Sequence, residues 1–183
     1  MPKKRNLSLK QTGDRSKIPL ASRPYNHKVI SSHSEAVLLL LEIGERLGYD
    51  TYTPDTSHEV DGEKLTEHRS LTQIPTGCLG ELVPEIQEID VLWFKSDVPK
   101  FAFEVEASRN YKPAARRLLK LKPLRTRLFF IAPWRNISLL DKFIKTDPFY
   151  KKYFHIRSYE QLDELFMALI IYKACYRMFL YTA

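Results

Sequence analysis

A mixed α/β fold is what the order of apolar periods predicts, running α-β-β-β-α-β-α-β-α along the chain. Three observations carry that prediction. A nearly all-apolar helical stretch opens with capping signals at 32–48. Two strand-like runs, 88–94 and 101–107, are joined by the turn-like Lys95-Ser96-Asp97-Val98-Pro99. Helical and extended periods then alternate from 113 onward, a pattern that puts the two runs in the middle of a mixed sheet flanked by helices.

Residues 1–28 are basic, contain Gly13, Pro19 and Pro24 and show no hydrophobic period, so they read as a flexible arm ahead of a single domain over 29–183. Ser32 and Glu35 have the S-x-x-E form of a capping box, and Gly48 stands where the helix 36–47 should end. On that helix Glu42 and Glu45 are expected to face solvent. Residues 49–53 are β-formers ended by Pro54, and 55–87 are polar with weak pattern, a length that marks a functional loop or hides short elements. Downstream, 113–121 is a basic helix, 126–132 a strand, 137–144 a helix and 154–157 a strand. Ser158-Tyr159-Glu160-Gln161 caps the last helix, whose 165–181 portion is apolar almost all round. Such a helix must bury both sides, which points to a homodimer through 159–181. Two charges, Lys173 and Arg177, and its aromatic content make it a poor membrane span, so no membrane partner is expected.

The chemistry concentrates in the two central runs. Period two places Phe101, Phe103 and Val105 on one face of the second run and Ala102, Glu104 and Glu106 on the other, so two carboxylates stand side by side. In the first run Ile89, Val91 and Trp93 alternate with Asp90, Leu92 and Phe94, which suggests a strand covered on both faces with one acid kept inside. A lone E-x-E on an edge strand is ordinarily a solvated face. Acids with flanks this apolar need a proton or a cation between them, and Mg²⁺, which takes oxygen ligands and keeps several waters, would serve.

The run from Ile89-Asp90 through Phe103-Glu104-Val105-Glu106 resembles the PD-(D/E)xK nuclease superfamily, the restriction-endonuclease-like fold. The resemblance spans roughly 33–165 by order of elements. It implies that Asp90 and Glu104 hold Mg²⁺, with Mn²⁺ as a substitute, at a scissile DNA phosphate. Glu106 stands where a Lys is usual, and some restriction enzymes of the superfamily carry Glu there and cut DNA. The first helix of such folds often offers an acid, which implies a catalytic Glu35 beside its reading as a cap. Metal-dependent, restriction-type endonucleolytic hydrolysis of DNA is therefore the expected activity, with Asp90, Glu104, Glu106 and Glu35 as catalytic residues.

Charge is unevenly laid out. The net is +7 over 1–28, −11 over 29–106 and +12 over 107–157. An acidic half holding metal and a basic half holding phosphate would suit that activity, although charges that solvate each half's own surface would give the same counts. Arg116, Arg117 and Lys120 on the basic helix, with Arg109 just before it, are the candidate nucleic-acid contacts, since Arg forks onto phosphate. Cys78 and Cys175 form no disulfide framework and have no zinc spacing with the five His, and Met1-Pro2-Lys3-Lys4-Arg5 runs into polar residues without an apolar signal core. A reduced, cytoplasmic setting is the expectation. A catalytically inactive DNA-binding or assembly module on the same fold is the alternative, and RNA as substrate stays open.

Overall fold

The computed structural model describes residues 30–108 and 110–181. The basic arm expected over 1–28 and Arg109 lie outside the described residues. Helix α1 (His33–Arg46) leads into β1 (Asp50–Tyr52), the two-residue strands β2 (Glu59–Val60) and β3 (Glu63–Lys64), and the short helix α2 (Val83–Ile86). Strands β4 (Val91–Lys95) and β5 (Val98–Val105) follow, then α3 (Tyr111–Leu119), β6 (Arg127–Ala132), α4 (Trp134–Lys145), α5 (Pro148–Tyr153), β7 (Phe154–Ser158) and α6 (Tyr159–Tyr181).

Five strands form one mixed sheet in the order β1-β4-β5-β6-β7. The pairs β1–β4 and β4–β5 are antiparallel, and β5–β6 and β6–β7 are parallel. This central mixed sheet flanked by helices is the expected architecture, and it is consistent with a restriction-endonuclease-like fold. The parallel steps need helical crossovers, which α3 and the α4–α5 pair supply. Ser96 and Asp97, both with positive φ (50° and 62°), turn β4 into β5.

Period two in β4 and β5 sends alternate side chains into two cores. Leu92, Phe94, Ala102, Leu128 and Phe130 join Ala114, Leu118, Leu140 and Ile144 of α3 and α4 on one face. Val91, Trp93, Phe103, Val105 and Ile131 join α1 and the first turns of α6 on the other. The capping box of α1 is complete: Ser32 Oγ accepts from Glu35 N (3.2 Å) and Glu35 Oε2 from Ser32 N (3.0 Å). Close seating of α1 depends on Gly44. A Cβ there would stand 2.6 Å from Thr51 Cγ2 and 2.7 Å from Trp93 Nε1, the nitrogen that donates to Leu40 O (3.1 Å).

Several expectations change. Strand β4 starts at Val91, so Asp90 sits just before the ladder. The polar stretch 55–87 contains β2, β3, three-residue and four-residue 3-10 turns and α2. Glu42 is buried, not solvent-facing, with Arg46 Nη2 3.8 Å away and the Arg46 guanidinium over the Phe166 ring of α6. The last helix is buried only at its start, through Tyr159, Leu162 and Phe166. Ile171, Tyr172, Tyr176, Met178 and Phe179 are exposed, Phe179 by 84%. No helix among the described residues is long and apolar enough to cross a membrane.

Candidate functional site

The C-terminal end of β5 gathers the acids because β4 and β5 run antiparallel: Val91 faces Phe103, which brings the residue before Val91 opposite the strand's last turn. Asp90 Oδ2 accepts the N–H of Val105 (2.7 Å), so this carboxylate continues the ladder with a side chain. Glu104 points to the α3 face with its side chain only 1% exposed. Arg117 of α3 forks onto it, Nε to Oε1 at 2.8 Å and Nη2 to Oε2 at 2.7 Å. Glu106 has left the strand, although its N–H still bonds Ile131 O (2.8 Å), and its Oε2 accepts the Ser108 hydroxyl (2.9 Å). Asn136 Nδ2 donates to Ala107 O (2.9 Å) and pins the chain that follows.

The electrostatics of the three acids agree with that crowding. Burial pushes Glu104 up to about 8; the Arg117 fork opposes the rise and the negative neighbours Asp90 and Glu106 add to it. Burial also raises Asp90, against His33, the Val105 N–H and Arg117, and raises Glu106 against the Ser108 bond. Arg117 is held more firmly protonated by its bonds to Glu104. Three carboxylates thus share one close guanidinium.

The fold adds residues that local sequence did not single out. His33 donates Nδ1–H to Val105 O (3.0 Å), the only role open to a nitrogen facing a carbonyl, which leaves Nε2 toward Asp90 Oδ1 at 3.9 Å. His58 lies beside it, ring centroids 6.3 Å apart, and its Nδ1 pairs with Asp55 Oδ2 at 2.8 Å. Asp55 is lowered: burial raises it, but the N–H groups of His58 and Ser57 and the His58 ring more than offset this. Tyr159 at the start of α6 has a buried hydroxyl with no hydrogen-bond partner among the described residues. Burial, with Asp90 adding, pushes it up to about 12, so it stays a neutral donor near the acids.

Of the residues expected at the site, Asp90, Glu104, Glu106 and Arg117 come together. Glu35 serves as a cap of α1, where Oε2 takes Ser31 N, Ser31 Oγ and Ser32 N within 3.0 Å. Arg116 is exposed one position round the helix from Arg117. Lys120 is exposed and pairs with Glu85. Among the described residues no group of three His, Cys, Asp or Glu side chains is close enough to enclose a metal ion. Asp90 Oδ1 lies free of the Val105 bond and Glu106 Oε1 free of the Ser108 bond. Hard oxygens in negative excess suit Mg²⁺, which needs few protein ligands.

Residues 17–180 match the family model of the Type II restriction enzyme NmeDI C-terminal domain. The match covers most of the chain, and the chain belongs to that family. No curated protein and no solved structure matches.

Proposed function

We propose that this member of the NmeDI C-terminal domain family is a Mg²⁺-dependent, restriction-type endonuclease that hydrolyses DNA phosphodiester bonds, as a PD-(D/E)xK variant with Glu106 at the Lys position. One observation carries the reading: Asp90, Glu104 and Glu106 crowd at the end of β5, each raised chiefly by burial, and Arg117 bonds Glu104 alone, a deficit of positive charge that a divalent cation would fill. The family supports it, since its name is that of a restriction enzyme.

Asp90 and Glu104 would hold the metal, which supplies an acidified water and charge neutralisation at the phosphate. Asp90 offers Oδ1 while the Val105 N–H fixes Oδ2. Arg117, forked onto Glu104 through Nε and Nη2, would offer its remaining donors to a phosphate oxygen and meet the charge that develops there. Glu106, raised by burial, accepts the proton of the attacking water. The exposed apolar end of α6 supports the accompanying homodimer, which sedimentation across concentration would read.

The test is incubation with supercoiled and linear DNA in Mg²⁺, Mn²⁺ or EDTA. Cutting that needs metal and is missing from Glu104→Ala supports the reading; intact DNA under every condition sinks it. The second reading, an inactive DNA-binding or assembly module, draws on the same Arg117 fork, because both Glu104 oxygens are already satisfied. Thermal stabilisation by Mg²⁺ that Glu104→Ala abolishes would favour the enzyme.

A further inference from the structure

At the other end of the same strand lies a concave groove of about 430 Å³ whose lining is almost the reverse of the acid site: Lys95, Lys100, Arg125 and Arg127 with Leu47, Tyr49 and Phe101. The four cations arrive from the end of β4, the start of β5, the turn before β6 and the first residue of β6. Among the described residues no acid lines the groove and none of the four cations is in an ion pair.

A solvated surface would give four mobile cations, but two of these are held. Lys95 Nζ donates to Gly48 O (2.6 Å) and lies 5.9 Å from the centre of the Tyr49 ring, leaving two ammonium protons for a ligand. The Arg127 guanidinium lies over the Phe101 ring at 5.8 Å. Arg125 stands in the turn before β6 with φ +57°, a left-handed conformation that costs a non-glycine residue about 1 kcal/mol. Tyr49 and Phe101 are themselves half-buried and packed edge-on at 5.4 Å, so their rings are set by the core behind them.

We propose that this groove is a second phosphate-binding site, taking a backbone phosphate of a nucleic-acid strand with Tyr49 and Phe101 beside the adjoining base. Held Lys and Arg recognise phosphate oxygens, and half-exposed rings next to them offer a stacking surface that tolerates any base. Lys100 and Glu104 stand on one strand four residues apart, about 13 Å at ~3.3 Å per residue, while the Phe101 ring of the groove faces the α1 side and Glu104 the α3 side. The inference rests on the nucleic-acid half of the proposed function and needs none of its catalysis.

The experiment is fluorescence anisotropy of labelled single-stranded and duplex oligonucleotides in EDTA, titrated with the full chain at several salt concentrations. Lys100→Glu/Arg127→Glu is compared with a charge-matched control, Lys142→Glu/Lys151→Glu, on exposed positions of α4 and α5. The groove pair should lose at least ~10-fold in affinity and about 1–2 from the slope of log K against log salt, with the control near wild type. Lys100→Gln/Arg127→Gln, checked for unchanged melting, should lose less in the same direction. Equal losses in groove and control variants, or no loss in the groove variants, overturn the proposal. Inorganic phosphate and deoxyadenosine monophosphate are titrated separately by calorimetry. Groove-dependent binding of either, with oligonucleotide affinity unaffected, would assign the site to a free phosphate and overturn the strand assignment. Loss of DNA cutting alone, with groove-dependent binding intact, would sink only the catalytic reading.

Discussion

The two ends of β5 handle charge in opposite ways. At the C-terminal end Glu104 is buried, its ionised form is costly, and one arginine makes two well-aligned bonds to it. At the N-terminal end Lys100 and Arg127 stand in the open beside aromatic rings with no carboxylate partner among the described residues. Charge under cover shifts proton affinity and suits bond-breaking; charge in water is screened within roughly 10 Å and suits holding a polyanion. Perturbations should therefore register differently at the two ends.

The largest effect is expected at the acid end. Glu104→Ala or Asp90→Ala should lower the rate of Mg²⁺-dependent DNA cutting by at least about 10²-fold while oligonucleotide binding in EDTA stays within a few-fold, read by paired gel and anisotropy assays. A rate close to wild type would remove these acids from the chemistry.

Next in size is the fork. Arg117→Met leaves a buried carboxylate without its cation and should cost about 3–5 kcal/mol at pH 8.5 by urea unfolding. The loss should shrink at pH 6, because the acid can then escape by taking a proton. A cost that does not vary with pH would mean that Arg117 matters through packing alone.

The wild-type protein in EDTA should carry the same signature more weakly. Glu104 ordinarily titrates near 4.5 and is raised to about 8 in the fold, so between those values the native state binds more protons than the unfolded chain. Its contribution is fully present below about 4.5 and is lost as pH climbs through about 8. Glu104→Gln should flatten that part of the melting profile, whereas the groove variants should leave its slope unchanged. The smallest effect is expected for Lys120→Ala. Its exposed pair with Glu85 is worth about 0–1 kcal/mol, so melting should move little.

Much of the sheet could be read from sequence because β4, β5 and β6 are continuous apolar runs whose period survives burial on both faces. Asp90, Glu104 and Glu106 stood out as charges inside those runs, and Arg117 as a cation one helix later. His33, Asp55, His58 and Tyr159 were not legible as one neighbourhood. They come from α1, the loop after β1 and the start of α6, and only the fold makes them neighbours. Strands of two residues such as β2 and β3 leave no period at all. Glu42 was misread because, although its partner Arg46 stands four residues on along α1, the Phe166 ring that the Arg46 guanidinium covers comes from α6. Uniform apolarity in α6 also concealed that its first turns are buried and its last turns are not.

The two-residue turn at Ser96–Asp97 has a bearing on which changes of length this chain can tolerate. Asp90 and Lys95 stand on one side of it, Lys100 and Glu104 on the other. With period two along both strands, gaining or losing a single residue in that turn would rotate β5 by one face relative to β4. Phe101 and Phe103 would exchange places with Ala102 and Glu104, and both ends would fail together. Insertions should therefore survive in the polar stretch between β1 and β4 and be purged from this hairpin.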